Sequence, residues 1–142
     1  MSKNILNNLG MSLIETMVAL LILMVAFISL IQAFPFSQTI VKTAENSTKA
    51  AYLAQNELEQ LLALSYDNIP VGMVEIKQRL SDDSANYLYY FQRQTTVSYL
   101  DGNWQSSVND TGMKKISVTV YYTNSVSKKE NSYSISALSS KR

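Results

Sequence analysis

Apolar side chains follow three regimes along this chain. From Met11 to Ile31 they are almost continuous, and Glu15 is the only charged side chain between Lys3 and Lys42. That run is long and apolar enough to span a bilayer. Beyond Phe34-Pro35-Phe36 the pattern becomes amphipathic: Val41, Ala44, Thr48, Ala51, Ala54 (or Gln55), Leu58 and Leu61-Leu62 recur at helical spacing. Lys42, Glu45, Lys49, Glu57 and Glu59 mostly fall elsewhere around that helix. From Tyr87 onward the apolar period is two, the period of strands.

Met11 to about Leu64 is helix-compatible throughout, apart from Pro35. Proline lacks a backbone donor and crowds the preceding turn, so a kink or local break is expected there. One helix of that extent is about 80 Å long at 1.5 Å per residue, well beyond a hydrocarbon core of about 30 Å. The first half therefore belongs in lipid. The second half stands in water with a stripe to bury. The helix should stop at Ser65-Tyr66-Asp67-Asn68-Ile69-Pro70, where Asp and Asn favour turns and Pro70 biases Ile69 away from helix. Val71-Gly72 continues the loop.

Tyr87 to Tyr99 is rich in β-branched and aromatic residues and predicts a strand, bent or broken in two because of its length. Asp101-Gly102-Asn103 signals a hairpin. In Lys115–Tyr122, residues Ile116, Val118, Val120 and Tyr122 face one way, and Lys115, Ser117, Thr119 and Tyr121 the other. Lys128-Lys129-Glu130-Asn131 is a polar turn, and Tyr133, Ile135 and Ala137 mark one face of a last strand. Three or four antiparallel strands in a meander have one apolar face and one wet face. The simplest architecture is α+β: a long N-terminal helix, transmembrane in its first half and amphipathic in its second, packed on a C-terminal antiparallel sheet.

Composition narrows the chemistry. The 142 residues carry a net charge of +1, with no Cys and no His. Thiol nucleophiles, disulfides, His general acid–base catalysis and the usual zinc ligand sets are excluded. Lys and Arg are scattered, so no nucleic-acid partner is expected. No Gly-rich phosphate loop occurs, and no cofactor is expected. Asp82-Asp83 reads as a solvated loop pair, and Trp104 fits either an exposed tip or a core plug. Nine tyrosines fit strand stabilisation better than a contact surface.

Gly10-Met11-Ser12-Leu13-Ile14-Glu15 followed by an apolar run resembles the prepilin signature of type IV pilins and of the pseudopilins of type II secretion. The stretch from Met11 to Leu20, with Tyr52-Leu53-Ala54-Gln55-Asn56-Glu57-Leu58-Glu59-Gln60-Leu61, is most similar to minor pilins of the PilV type or the GspI-type minor pseudopilin. The resemblance implies a leader over 1–10, a transmembrane helix segment over 11–34, an amphipathic helix segment over 35–65 and a pilin-like β-sheet domain over 66–142. It implies that a prepilin peptidase cuts between Gly10 and Met11 and N-methylates Met11, and that Glu15 serves assembly. Pro35 matches the helix prolines that loosen in filaments of relatives. The implied partners are other pilins or pseudopilins, the peptidase, an inner-membrane assembly platform and the lipid bilayer. The implied location is a bacterial inner membrane, single-pass, with the C-terminal domain outside the cytoplasm. Two features depart from the family pattern: Met11 stands where Phe is most common, and Lys3 makes the leader only weakly basic.

The chemistry behind that role is direct. A carboxylate within a bilayer is costly, about 2.5–3.5 kcal/mol at the centre even on milder scales. The new Met11 ammonium of a neighbouring copy would offset part of this and fix the register that apolar packing in lipid does not. The expected protein is thus structural rather than an enzyme. An ordinary secreted domain with a cleavable signal peptide is the alternative, disfavoured because signal peptides carry positive charge at the head of the apolar run, where this chain has Glu15. A membrane-anchored enzyme is a further alternative, without a recognisable nucleophile. Pilus, secretion pseudopilus and competence filament are not distinguished by the sequence.

Overall fold

A computed structural model describes residues 12–123 and 128–141 of the chain. Its elements are α1 (Leu13–Leu62), a short 3-10 turn over Tyr66–Asn68, β1 (Gly72–Arg79), a second 3-10 turn over Tyr87–Tyr90, β2 (Phe91–Leu100), β3 (Ser106–Ser107), β4 (Met113–Thr123) and β5 (Glu130–Ser140). The strands form one antiparallel sheet in the order β1-β2-β4-β5, with β3 paired to the end of β2. The layout is α+β, a long N-terminal helix and a C-terminal antiparallel sheet.

Compact packing divides the chain between Ile40 and Val41. Before that point the described residues from Leu13 on are helix, and their large apolar side chains, from Leu13 to Phe34, are exposed. The helix runs through Pro35, so the local break considered there does not occur. Loss of one backbone donor leaves the flanking turns bonded, and the Thr39 hydroxyl donates to the Pro35 carbonyl at 3.1 Å.

From Val41 onward a single core forms. Ala50, Leu53, Ala54, Leu58 and Leu61 of α1 pack with Ile69 and with Phe91, Val97, Ile116, Val118, Val120 and Tyr122 of the sheet. The spacing of three and four keeps these helix residues on one face. The expected stripe is corrected at its beginning: Val41, Ala44 and Thr48 are exposed, and the buried face starts at Ala50. Alanine and threonine carry too little apolar area to set a face, and the leucines at 53, 58 and 61 set it instead. Ala50 and Ala54 are fully buried beneath them.

In β4 the buried residues are Lys114, Ile116, Val118, Val120 and Tyr122, and β5 presents Tyr133, Ile135 and Ala137 to the core side. Both alternations follow the sequence pattern. The strand expected from Tyr87 starts only at Phe91, because the Asn86 side chain accepts from the Leu88 N–H at 3.0 Å and caps a 3-10 turn. β1 was not anticipated: the sequence pattern assigned no element beyond the loop at Val71-Gly72 before Tyr87. Its ladder slips twice against β2, between Met73 and Glu75 and again between Glu75 and Gln78. Such bulges erase the period-two signature.

The hairpin at Asp101 forms as expected. The Asp101 carboxylate accepts from the N–H groups of Asn103 and Gln105, at 2.9 and 2.8 Å. Trp104 sits at this tip with φ of 64° and is 62% exposed, so it is a tip residue and no core plug. Asp82 and Asp83 are exposed, as expected of a solvated pair.

Candidate functional site

The candidate site lies at the head of α1. Glu15 occupies the first turn and is exposed. Its backbone N–H donates to the Ser12 carbonyl at 2.9 Å, which starts the helix there. The acidic side chain therefore lies near the positive end of the helix dipole. Two hydroxyls in the apolar run bond to their own helix. The Thr16 hydroxyl donates to the Leu13 carbonyl at 2.7 Å, and the Ser29 hydroxyl to the Val25 carbonyl at 2.8 Å. Such back-bonding lets a hydroxyl sit in an apolar medium without a penalty. Glu15 has no such solution: its carboxylate makes no hydrogen bond or ion pair among the described residues. Gly10 and Met11 lie outside the described residues. Pro35, the other position singled out, lies far along the same helix and is not brought together with Glu15.

By length and composition α1 is able to cross a membrane, and none of its most apolar stretch is buried in the protein itself. That much supports a membrane location; it specifies neither the membrane nor the topology.

No known protein family, curated protein or solved structure matches this chain.

Two polar clusters in the β domain were not anticipated from the sequence. The first joins helix to sheet. Arg93 on β2 pairs with Glu57 of α1 at 2.9 Å and with Glu75 of β1 at 2.7 Å, and the three side chains are only 17, 15 and 13% exposed. Thr95, wholly buried, donates to Glu75 at 3.1 Å. Burial alone would raise the Glu75 pKa, but the hydrogen bonds and charge of Arg93, helped by Gln78 and Thr95, outweigh it and hold the carboxyl below its usual range. The signal was present in the strand pattern. Arg93 shares its face with Phe91, Thr95 and Val97, and Glu57 lies between Ala54 and Leu58 on the buried helix face. Opposite charges on two facing apolar surfaces are a pairing signature.

The second cluster closes the helix-to-strand connection. Lys114 is 3% exposed, and its Nζ donates to the carbonyls of Tyr66 and Ile69 at 2.7 and 2.8 Å. It lies 4.4 Å from the Tyr66 ring centroid, a cation–π distance. The Tyr66 hydroxyl donates to Asp110, whose second role is to accept from the Gly112 N–H at 2.9 Å. Gly112 has φ of 81°, a conformation that glycine adopts without strain. Continuing the β4 alternation back two residues places Lys114 on the apolar face, which is the clue the sequence offered.

Burial first, and then the Asp110 carboxylate, push the Tyr66 hydroxyl from 10.0 up to about 12. Between those values the unfolded chain loses this proton and the folded chain keeps it. The stabilisation is complete below the unfolded pKa and is lost as pH rises through the folded one. We expect the stability gap between the wild type and Tyr66→Phe to shrink as pH rises from about 9 to about 11.5. Urea midpoints of the two proteins in micelles check this; a gap independent of pH contradicts the burial of that hydroxyl.

Proposed function

We propose that this chain is a structural minor pilin or pseudopilin. In this reading it inserts in a bacterial inner membrane through α1, is cut between Gly10 and Met11 and N-methylated on Met11, and joins a type IV pilus-like filament. The observation that carries the reading is the one acidic side chain in the apolar run, Glu15, left without a partner among the described residues while the hydroxyls of Thr16 and Ser29 in the same run bond internally. Taken with the Gly10-Met11 sequence just before it, this fits a carboxylate reserved for a cation brought by another subunit. The Met11 ammonium of a neighbouring copy has the charge and, at the end of the same kind of helix, the depth.

The remaining apolar side chains of the run supply insertion and packing but little register. In the assembled filament the charge pair sets the stagger between neighbouring helices. The β domain from Val41 onward supplies the outer, water-facing surface. Energy for assembly comes from a separate ATPase, and the chain itself carries out no reaction.

Mass spectrometry of the mature N-terminus, in membrane and filament fractions, tests the proposal. A terminus at methylated Met11 is expected in both. A terminus at Phe34 or later identifies an ordinary secreted protein, and a terminus at Met1 in a working filament removes the cation on which the proposal depends.

A further inference from the structure

The wet face of the sheet is short of charge. In the four rows that run from Gln92 to Ser98 across β2, β4 and β5, Lys115 is the one charged side chain. About a quarter of the residues of an ordinary chain are charged, and they concentrate on wet surfaces. Here hydroxyls and amides take their place and pair across the strands. Ser117 bonds to Ser136 at 2.9 Å and Thr119 to Ser134 at 3.0 Å, and the Tyr121 hydroxyl donates to the Gln94 side-chain oxygen at 3.1 Å. Each Ser or Thr pair spends one O–H donor on itself and leaves the other, with several lone pairs, for a ligand.

One end of this face is closed. The Lys77 ammonium lies 4.1 Å from the Tyr121 ring centroid and pairs with Glu130 at 2.7 Å. The other end opens on Trp104, the only tryptophan of the chain. Trp104 borders a cleft of about 260 Å³ lined by Leu100, Lys115, Ser136, Ala137 and Leu138. Its backbone, at φ of 64°, occupies the left-handed region, where glycine or asparagine is at ease and a bulky side chain is not. The loop holds it there. The Trp104 N–H donates to the Asp101 carbonyl at 3.1 Å, and the Asp101 N–H to the Gln105 carbonyl at 2.8 Å. No described ring stacks on the indole. A strained, braced and exposed indole adds little to the fold, and strain of this kind gathers where ligands bind.

The geometry points to this face as the binding site of a neutral, β-1,4-linked polysaccharide. A pyranose ring is apolar on its C–H faces and hydroxylated around its rim. Trp104, with the exposed Leu138 beside it, offers the flat apolar platform on which such a ring stacks. Lys115 and Ser136 in the same cleft offer polar contacts to the rim. From there the hydroxyl pairs follow β4 toward Tyr121, about 20 Å from Lys115 at strand rise, which is room for several rings of an extended chain. Equatorial β-1,4 linkage gives a straight ribbon that keeps to the rows, whereas an α-1,4 chain coils away from them. A single cation gives an anionic polymer little to hold. A protein partner would ask for a larger apolar centre than Trp104 and Leu138 supply. The site lies wholly within the domain from Val41 onward and does not depend on what α1 does.

The lone tryptophan makes the site its own reporter. Full-length protein in phospholipid nanodiscs, titrated with cellohexaose or chitohexaose, should give a saturable change in tryptophan emission. Calorimetric titration then compares variants. Trp104→Gly removes the platform and suits the positive φ, so the fold is retained while affinity falls at least about tenfold. Trp104→Tyr keeps a platform and should hold affinity to within about threefold. Ser117→Ala with Thr119→Val removes one hydroxyl from each pair, and affinity should fall at least about fivefold. Maltohexaose, the α-1,4 counterpart, should bind much more weakly than cellohexaose or chitohexaose. The proposal is overturned if neither β-1,4 hexasaccharide binds, if Trp104→Gly or the Ser117→Ala, Thr119→Val protein binds as the wild type does, or if maltohexaose binds equally well. It is also overturned if tryptophan emission shifts as more copies are loaded per nanodisc without sugar, which identifies a second copy as the occupant. The test needs no filament, so its failure leaves the assembly reading untouched and is distinguishable from failure of that reading.

Discussion

Replacing Arg93 by methionine should destabilise the β domain by about 3–5 kcal/mol, because two mostly buried carboxylates lose the only cation paired with them among the described residues. Glu57 comes from the helix and Glu75 from β1, so the loss loosens both neighbours of β2 at once. The size of the effect reflects the stranded charges more than the worth of the bonds. Removing all three charges together, with Glu57→Gln and Glu75→Gln added to Arg93→Met, should therefore recover most of the stability, since a buried ion pair is seldom better than a matched neutral packing. Urea unfolding of the full chain in micelles, followed by near-ultraviolet circular dichroism of the buried Tyr66 and Tyr122, measures both. An Arg93→Met protein within about 1 kcal/mol of the wild type would mean that water reaches these carboxylates and replaces the guanidinium.

The second large effect is on assembly. Glu15→Gln should leave membrane insertion and cleavage intact and reduce incorporation into sheared filaments to background. Glutamine keeps the shape and removes the charge, so only the proposed attraction to a neighbour's ammonium is lost. In lipid that attraction is weakly screened and both ions are costly alone. Quantifying the variant against wild type in filament and membrane fractions gives the answer. Wild-type incorporation of Glu15→Gln would show that Glu15 merely benefits from the positive helix end, as any acidic first-turn residue does.

Much of the architecture was legible in the order of side chains. The end of α1 at Leu62, the hairpin at Asp101 and the two faces of β4 and β5 all follow from local patterns. Each of these depends on neighbours in sequence, which periodicity captures. What was missed depends on partners distant in sequence. β1 is held by β2 through a slipped ladder, and no strict alternation marks it. The buried helix stripe begins at Ala50, and the run of small apolar and hydroxyl residues before it misled the spacing. Lys114 and Arg93 are polar side chains on apolar faces, satisfied by groups from elsewhere in the fold: Tyr66 and Ile69 for one, Glu57 and Glu75 for the other. A parity count finds such residues but does not say what they meet. At the head of α1 the situation is reversed. Glu15 was conspicuous in the sequence, and the fold of the single chain gives it no partner among the described residues.

Ala50, Leu53, Ala54, Leu58 and Leu61 form one wall of the core, and they precede every strand that covers them. A ribosome makes this wall first and the strand bearing Val118 and Val120 much later. During synthesis the leucine face stays bare until β4 has emerged. Folding of the domain is therefore a late event, paced by delivery of the C-terminal third of the polypeptide. A chain stalled before β4 would expose that face to whatever holdase or lipid surface is nearest, so truncation there should yield aggregation or degradation in place of a smaller native domain.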